Sequence, residues 1–314
     1  MEHLTSLVSS RGLLKSCDCR NENPISSSDH IDGDLLANHR PGGTIYVCTD
    51  AIENFITNFL PHISHSFILL TGDSDRAITD QYIESEQIQR LISSEYLINW
   101  YAQNNISHHG SVRYLPIGLD YHTMWERPGF WGIAKISPMA QEHLLLDIAA
   151  RSPALGNRYP LAYCNWSIDN LHKGDRQECL DRIDREVCYF EQYVVPRAST
   201  WSRQAECAYV LSPEGFGVDC HRTWEALALG CIPIIKRNAI SNQFENLPVL
   251  LVQDWHEITS QTLIDYYHHI KNKTFNFSTL FLKYWLNLVG ESKGDILPLM
   301  GIEEFRKLLL RNGG

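Results

Sequence analysis

The sequence predicts an α/β protein of two Rossmann-like domains, each a parallel sheet with crossover helices, facing a central cleft. Three observations carry this. Short apolar, β-branched runs alternate with stretches of helical period, as strand–helix–strand units require. Each run stops in a polar loop, as strands do in sheets that bind ligands at their carboxyl edge. The rhythm breaks over 126–158 and restarts at Tyr159, dividing the 314 residues into units 1–150 and 151–314.

Residues 1–43 read as a polar lead-in with no clear period. Residues 44–48 form the first strand, and AIENFITNFL the first helix, with Ile52, Phe55, Ile56 and Phe59 on one face. Residues 66–70 are a buried strand ending in Thr71-Gly-Asp-Ser-Asp75. A helix over 81–98 sets Ile83, Ile88, Leu91 and Ile92 in a stripe, and strands at 98–102 and 112–116 complete the first unit. The Pro- and Gly-bearing stretch 126–158 holds one helical segment, MAQEHLLLDIAA.

In the second unit, residues 159–164 are a strand, and 174–190 read as a charged amphipathic helix with Leu180, Ile183 and Val187 inside. Residues 208–211 lead as a strand into Ser-Pro-Glu-Gly-Phe-Gly217. A helix runs from about His221 to Leu229, capped by Asp219 and stopped by Gly230. Strands at 231–235 and 248–252 follow, and helices near 261–271, 278–289 and 301–311 close the chain.

Composition narrows the function. With 44% hydrophobic and 20% charged residues the chain is an ordinary globular protein, neither a disordered tail nor a disulfide scaffold. The formal charge of -10 disfavours nucleic acid as a partner but leaves room for a local basic pocket. No run of about 18 apolar residues suggests a transmembrane segment, and the N-terminus lacks a signal-peptide core. Nine cysteines, several inside apolar runs (Cys48, Cys164, Cys207, Cys231), read as buried thiols of a cytoplasmic protein. The histidines show no zinc-finger spacing.

The most informative stretch is AYVLSPEGFGVDCHRTWEALALGCIPIIK, residues 208–236. A strand, a Gly-bearing loop and a helix start form an anion site, because free N–H groups and the helix dipole point at the ligand. Gly215 and Gly217 permit close approach of a phosphate, and His221 and Arg222 in the first helical turn can donate to its oxygens. Glu225, one turn after His221, can accept from ribose hydroxyls. These features together describe a nucleotide-sugar site; the competing reading is a helix with ordinary surface charges.

SPEGFGVDCHRTWEALALGCIPII resembles the donor-binding region of GT-B glycosyltransferases of the exostosin-like group, with its Pro-x-Gly loop, Arg-x-x-Glu-Ala helix and Gly-Cys-Ile-Pro-Ile strand. The likeness is strong over about 205–257; FILLTGDSD, NWYAQNN and YLPIGLD extend it less diagnostically. The resemblance implies a GT-B fold, a nucleotide-diphosphate-sugar donor as co-substrate with no cofactor, a glycan or glycoprotein acceptor, inversion, and no catalytic metal. It implies that Arg222 and Glu225 lie in the donor pocket, so that the candidate donor-binding residues are Glu214, Gly215, Gly217, His221, Arg222, Glu225 and Arg176. Retaining GT-B enzymes set a second Glu eight positions after that of Glu-Gly-Phe-Gly. Here Glu214 and Glu225 are eleven apart, a departure that favours the exostosin-like reading.

An inverting transfer needs a general base from across the cleft. Asp75 is the first candidate and Asp73 the second, with Asp120 and the loop histidines His108 and His109 also at strand ends; the competing reading makes these aspartates helix caps. Asp73-x-Asp75 also matches the metal motif of GT-A transferases. Arg176 and Arg203 are candidate diphosphate ligands or surface ion pairs. Trp125, Trp131 and Trp201 are candidate sugar-stacking platforms, while Trp224 is expected in the core. A nucleotide-sugar epimerase or hydrolase, or a non-catalytic sugar-nucleotide or glycan-binding protein, would fit the same features.

Overall fold

The computed structural model describes residues 1–127, 129, 135–166, 172–191, 193, 195–290 and 296–312, the last three as backbone only. It is an α/β structure with two purely parallel sheets. After helix α1 (Ser10–Ser16), the first sheet has the order β1 (Gly43–Cys48), β2 (Phe67–Gly72), β3 (Leu97–Ala102), β4 (Val112–Tyr114). Between these strands lie α2 (Ile52–Asn58), α3 (Asp80–Ile83) and α4 (Glu86–Ile92); α5 (His122–Glu126) and α6 (Pro138–Arg151) follow. The second sheet comprises β5 (Tyr159–Cys164), β6 (Cys188–Phe190), β7 (Cys207–Leu211), β8 (Ile232–Lys236) and β9 (Leu250–Val252), in the order β6-β5-β7-β8-β9. Its helices are α7 (Arg176–Arg182), α8 (Arg197–Gln204) and α9 (His221–Ala228), with α10 (Ser260–Ile270), α11 (Leu282–Val289) and α12 (Ile302–Asn312) at the end.

Both faces of the first sheet are covered, as parallel sheets require. Alternate side chains sort accordingly: Ile45, Val47 and Leu69 enter the core under α2 and α4, while Tyr46, Ile68, Leu70 and Tyr101 join a core continuous with the second sheet. Burial on both faces explains why these strands read as unbroken apolar runs.

Three elements depart from expectation. The lead-in contains α1, capped by Ser9, whose Oγ accepts from the Gly12 N–H (3.0 Å). Arg11, Leu13 and Leu14 of that helix are buried and it packs against α11. Seven residues are too few for a period to show. The single helix expected over 81–98 is two, because Thr79 caps α3 and a new helix starts after Ser85. The helix expected over 174–190 ends at Arg182; Ile183 and Val187 instead precede β6, an edge strand paired Ala162↔Cys188. Also, α6 sits on the first side of the 150/151 boundary in sequence but packs on α8, α9 and α12.

Gly118 lies tight against the N-terminal segment, bridged to Ser9. Its φ is +63°, and an added Cβ would lie 2.2 Å from the Val8 carbonyl oxygen. Gly118→Ala should destabilise the protein by about 1–3 kcal/mol from the left-handed backbone alone. Urea unfolding measures this, and an unchanged midpoint would refute it.

Candidate functional site

The second sheet reverses its strand order at β5: β6 is added on one side and β7 on the other. In open parallel sheets the crevice beyond the carboxyl ends at such a reversal is where ligands bind. Arg222 occupies this crevice. Its Nε donates to the Asn165 carbonyl after β5 (3.3 Å) and its Nη1 to the Pro213 carbonyl after β7 (3.2 Å). The guanidinium also lies 5.5 Å from the Trp166 ring centroid.

Arg176, the first residue of α7, reaches the same place. An added Cβ on Gly215 would lie 2.9 Å from its Nη2, and its Nε is buried without a hydrogen-bond partner. Burial and the neighbouring Arg222 charge push its pKa below the ordinary arginine value. Lys173 lies 3.0 Å from the centroid of the exposed Phe216 ring. Arg222, held by two backbone carbonyls, and Arg176 beside it bear no ion pair among the described residues, an arrangement with the charge and the donors to take a multiply charged anion.

The loop is tied from beneath. Asp175 accepts from the Glu214 N–H (2.7 Å) and the Trp255 indole (3.0 Å). The Glu214 carboxylate accepts from Asn238 (2.8 Å), and burial raises its pKa. The glycines serve packing as well as any ligand. The space beside Gly215 is filled by Arg176, and a Cβ on Gly217 would meet the Asn104 amide of the first unit at 2.8 Å.

Asp219 is not the cap of α9; Cys220 is, with no side-chain cap bond. Asp219 turns across the cleft instead. Its Oδ2 accepts from the Tyr114 hydroxyl (2.8 Å) and the Ile117 N–H (2.9 Å), and its Oδ1 from the Trp224 indole (2.9 Å), placing Trp224 in the core as expected. His221 likewise faces the first unit: Nδ1 donates to the Gly118 carbonyl (2.7 Å) and therefore carries the proton.

Across the cleft, Asp75 is exposed at the end of β2, within electrostatic reach of His221, Lys173 and Arg176. Desolvation by the cleft walls raises its pKa, against the pull of those three basic groups. Asp73 is elsewhere. It is buried, with φ +55°, and receives Arg11 Nε (3.1 Å) and the Ser26 hydroxyl (2.9 Å) on Oδ1. A carboxylate clasped in this way is a structural anchor, so the geometry removes Asp73 from the base role and leaves no Asp73–Asp75 chelate. Neither aspartate caps a helix, since Thr79 caps α3.

Glu225 is also engaged. It is buried, and Oε1 accepts from Arg197 Nη2 (2.8 Å). Arg197 donates as well to the Asp120 carbonyl and lies 3.5 Å from its carboxylate. The expectation of a carboxylate fully open to ribose is therefore reduced to one uncommitted oxygen. Asp120 in turn lies 3.2 Å from His122 Nδ1, and the His122 ring is 6.3 Å from that of His221. Burial works to raise the Asp120 pKa, but the His122, Arg197 and His221 charges outweigh it and hold the carboxyl well below the usual range. Burial lowers the His122 pKa, opposed by Asp120 and Asp73.

The sequence reading missed Arg11, Lys173, His122 and Arg197. Only Lys173, three residues before Arg176, had a local signal, because the two basic side chains share one short loop.

Other candidates fall outside the cleft. Arg203 pairs with Glu191, His108 is an exposed partner of Asp80, and Trp201 is buried in the core, which removes it as a sugar platform. Lys135 sits 4.2 Å from the Trp125 ring centroid, and Trp131 lies outside the described residues. All nine cysteines are free thiols. Among the described residues no helix is long and apolar enough to cross a membrane, and no group of three His, Cys, Asp or Glu side chains is placed to hold a metal ion. A scan against protein-family models finds no match to the chain, and a search of curated proteins finds none.

Proposed function

We propose that the chain is a glycosyltransferase of GT-B, exostosin-like type, moving a sugar from a nucleotide-diphosphate donor to a glycan hydroxyl with inversion. The observation that carries this reading is the Arg176–Arg222 pair at the β5/β7 reversal, which bears no ion pair among the described residues, with Arg176 in electrostatic reach of Asp75. The donor diphosphate would lie on Arg176, Arg222 and Lys173, with the Glu214–Gly217 loop beneath it. The acceptor oxygen attacks the anomeric carbon, the bond from that carbon to the diphosphate oxygen breaks, and the acceptor proton passes to Asp75. The leaving group departs with both electrons of the broken bond onto the guanidiniums, which supply the charge stabilisation.

Arg176→Ala should weaken nucleotide-diphosphate binding by about tenfold to a hundredfold, the loss of a charge-assisted hydrogen bond. Calorimetry with nucleoside diphosphates measures this, and unchanged affinity would sink the donor site. Turnover of a donor panel should persist within a few fold in EDTA. Product analysis with and without acceptor identifies transfer, as against epimerisation, hydrolysis or binding alone.

A further inference from the structure

We propose that a second cavity, between β3, β4 and α11, binds a neutral glycan chain. It measures about 470 Å³, within the usual range for small-molecule sites, and its lining includes none of Lys173, Arg176, Arg222 or Asp75. The inference therefore stands apart from the donor reading.

The walls come from three places in the chain. Strands β3 and β4 contribute Tyr101, Arg113 and Tyr114; the turn after β8 contributes Asn242, Gln243 and Asn246; the approach to α11 and its first turn contribute Asn276, Tyr284 and Trp285. Four of these are carboxamides, and among the described residues no carboxylate lines the cavity. Asn276 Oδ1 accepts from the Ser278 N–H (3.1 Å) and Asn242 Oδ1 from Gln243 Nε2 (3.2 Å), whereas the exposed Asn246 amide and the half-buried Tyr284 hydroxyl have no partner among the described residues. Tyr284 and Trp285 stand edge to face at 5.3 Å, and Trp285 meets Tyr114 in the same manner at 6.0 Å. The Trp285 indole donates to the Thr279 carbonyl (2.8 Å), which fixes the ring.

This chemistry selects among ligand classes. A phosphorylated ligand calls for several cations, and among the described residues Arg113 is the only one in the lining, already donating to the Tyr101 hydroxyl (3.0 Å). An apolar ligand would leave the carboxamides unpaired. Carboxamides offer a donor and an acceptor side by side, which matches vicinal hydroxyls, and the half-buried Tyr284 ring, held edge to face by the buried Trp285, offers a platform for the C–H face of a pyranose.

The test titrates the full chain with short neutral oligosaccharides of gluco, galacto, manno and xylo configuration, by calorimetry and saturation-transfer NMR. At least one should bind. Asn246→Ala and Tyr284→Phe, which leave the buried packing intact, should each weaken that binding about tenfold or more, while Arg176→Ala leaves it unchanged. The proposal is overturned if no member binds the wild type, if both variants bind as the wild type does, or if only polyanionic oligosaccharides bind. Nucleotide titration of the same samples reads the donor site separately: saccharide binding without nucleotide binding would keep this site and discard the glycosyltransferase reading.

Discussion

Asp75→Asn should lower turnover by about 10²–10⁴-fold, the usual contribution of a positioned general base, while donor affinity stays within a few fold. The substitution keeps the shape of the side chain and removes its ability to take a proton. The pH profile gives a second readout. A base works only when ionised, and desolvation sets the Asp75 pKa above the ordinary aspartate value. The acidic limb of kcat/KM should therefore lie above about pH 4 and disappear in the variant. Normal turnover by Asp75→Asn would exclude it. If His122→Gln abolished turnover in that case, the proton would go to the buried His122–Asp120 pair instead.

Arg197→Met should cost about 3–5 kcal/mol of stability, because it leaves Asp120 and Glu225 buried without their shared cation. Methionine fills similar space, so lost packing contributes little. The pH dependence has a definite sign. The Asp120 pKa is lower in the folded state than in the unfolded chain, so its contribution is fully present above about pH 4 and is lost as pH falls through the depressed folded value. The gap between wild type and variant should be widest near neutrality and narrow in acid. Denaturant unfolding at several pH values measures it, and a constant gap would show that Asp120 is not held by Arg197.

The strands were legible because a parallel sheet buried on both faces leaves continuous β-branched runs. Residues 159–164 agree with β5 end to end. Edge strand β6 was not legible, since three residues carry no period and Ile183 and Val187 mimic a helical stripe. The Gly-bearing loop with Arg222 at the helix start was legible because these residues lie close together in the chain; Arg176, on α7, is brought beside them by the parallel pairing of β5 and β7. Asp73 was misjudged for the opposite reason: its partner Arg11 lies 62 residues away, and nothing near Asp73 in sequence marks it as paired. Glu225 and Arg197, 28 residues apart, are a similar case.

By itself the sequence determined the α/β rhythm, the restart near Tyr159 and the position of the basic loop, all properties of neighbouring residues. It could not determine which charges are neutralised. Asp73, Asp75, Asp120 and Glu225 have similar chemistry in sequence, yet packing gives three of them a buried arginine and leaves Asp75 exposed to the cleft. That difference is one of desolvation and long-range pairing, and it exists only once the two sheets are brought together.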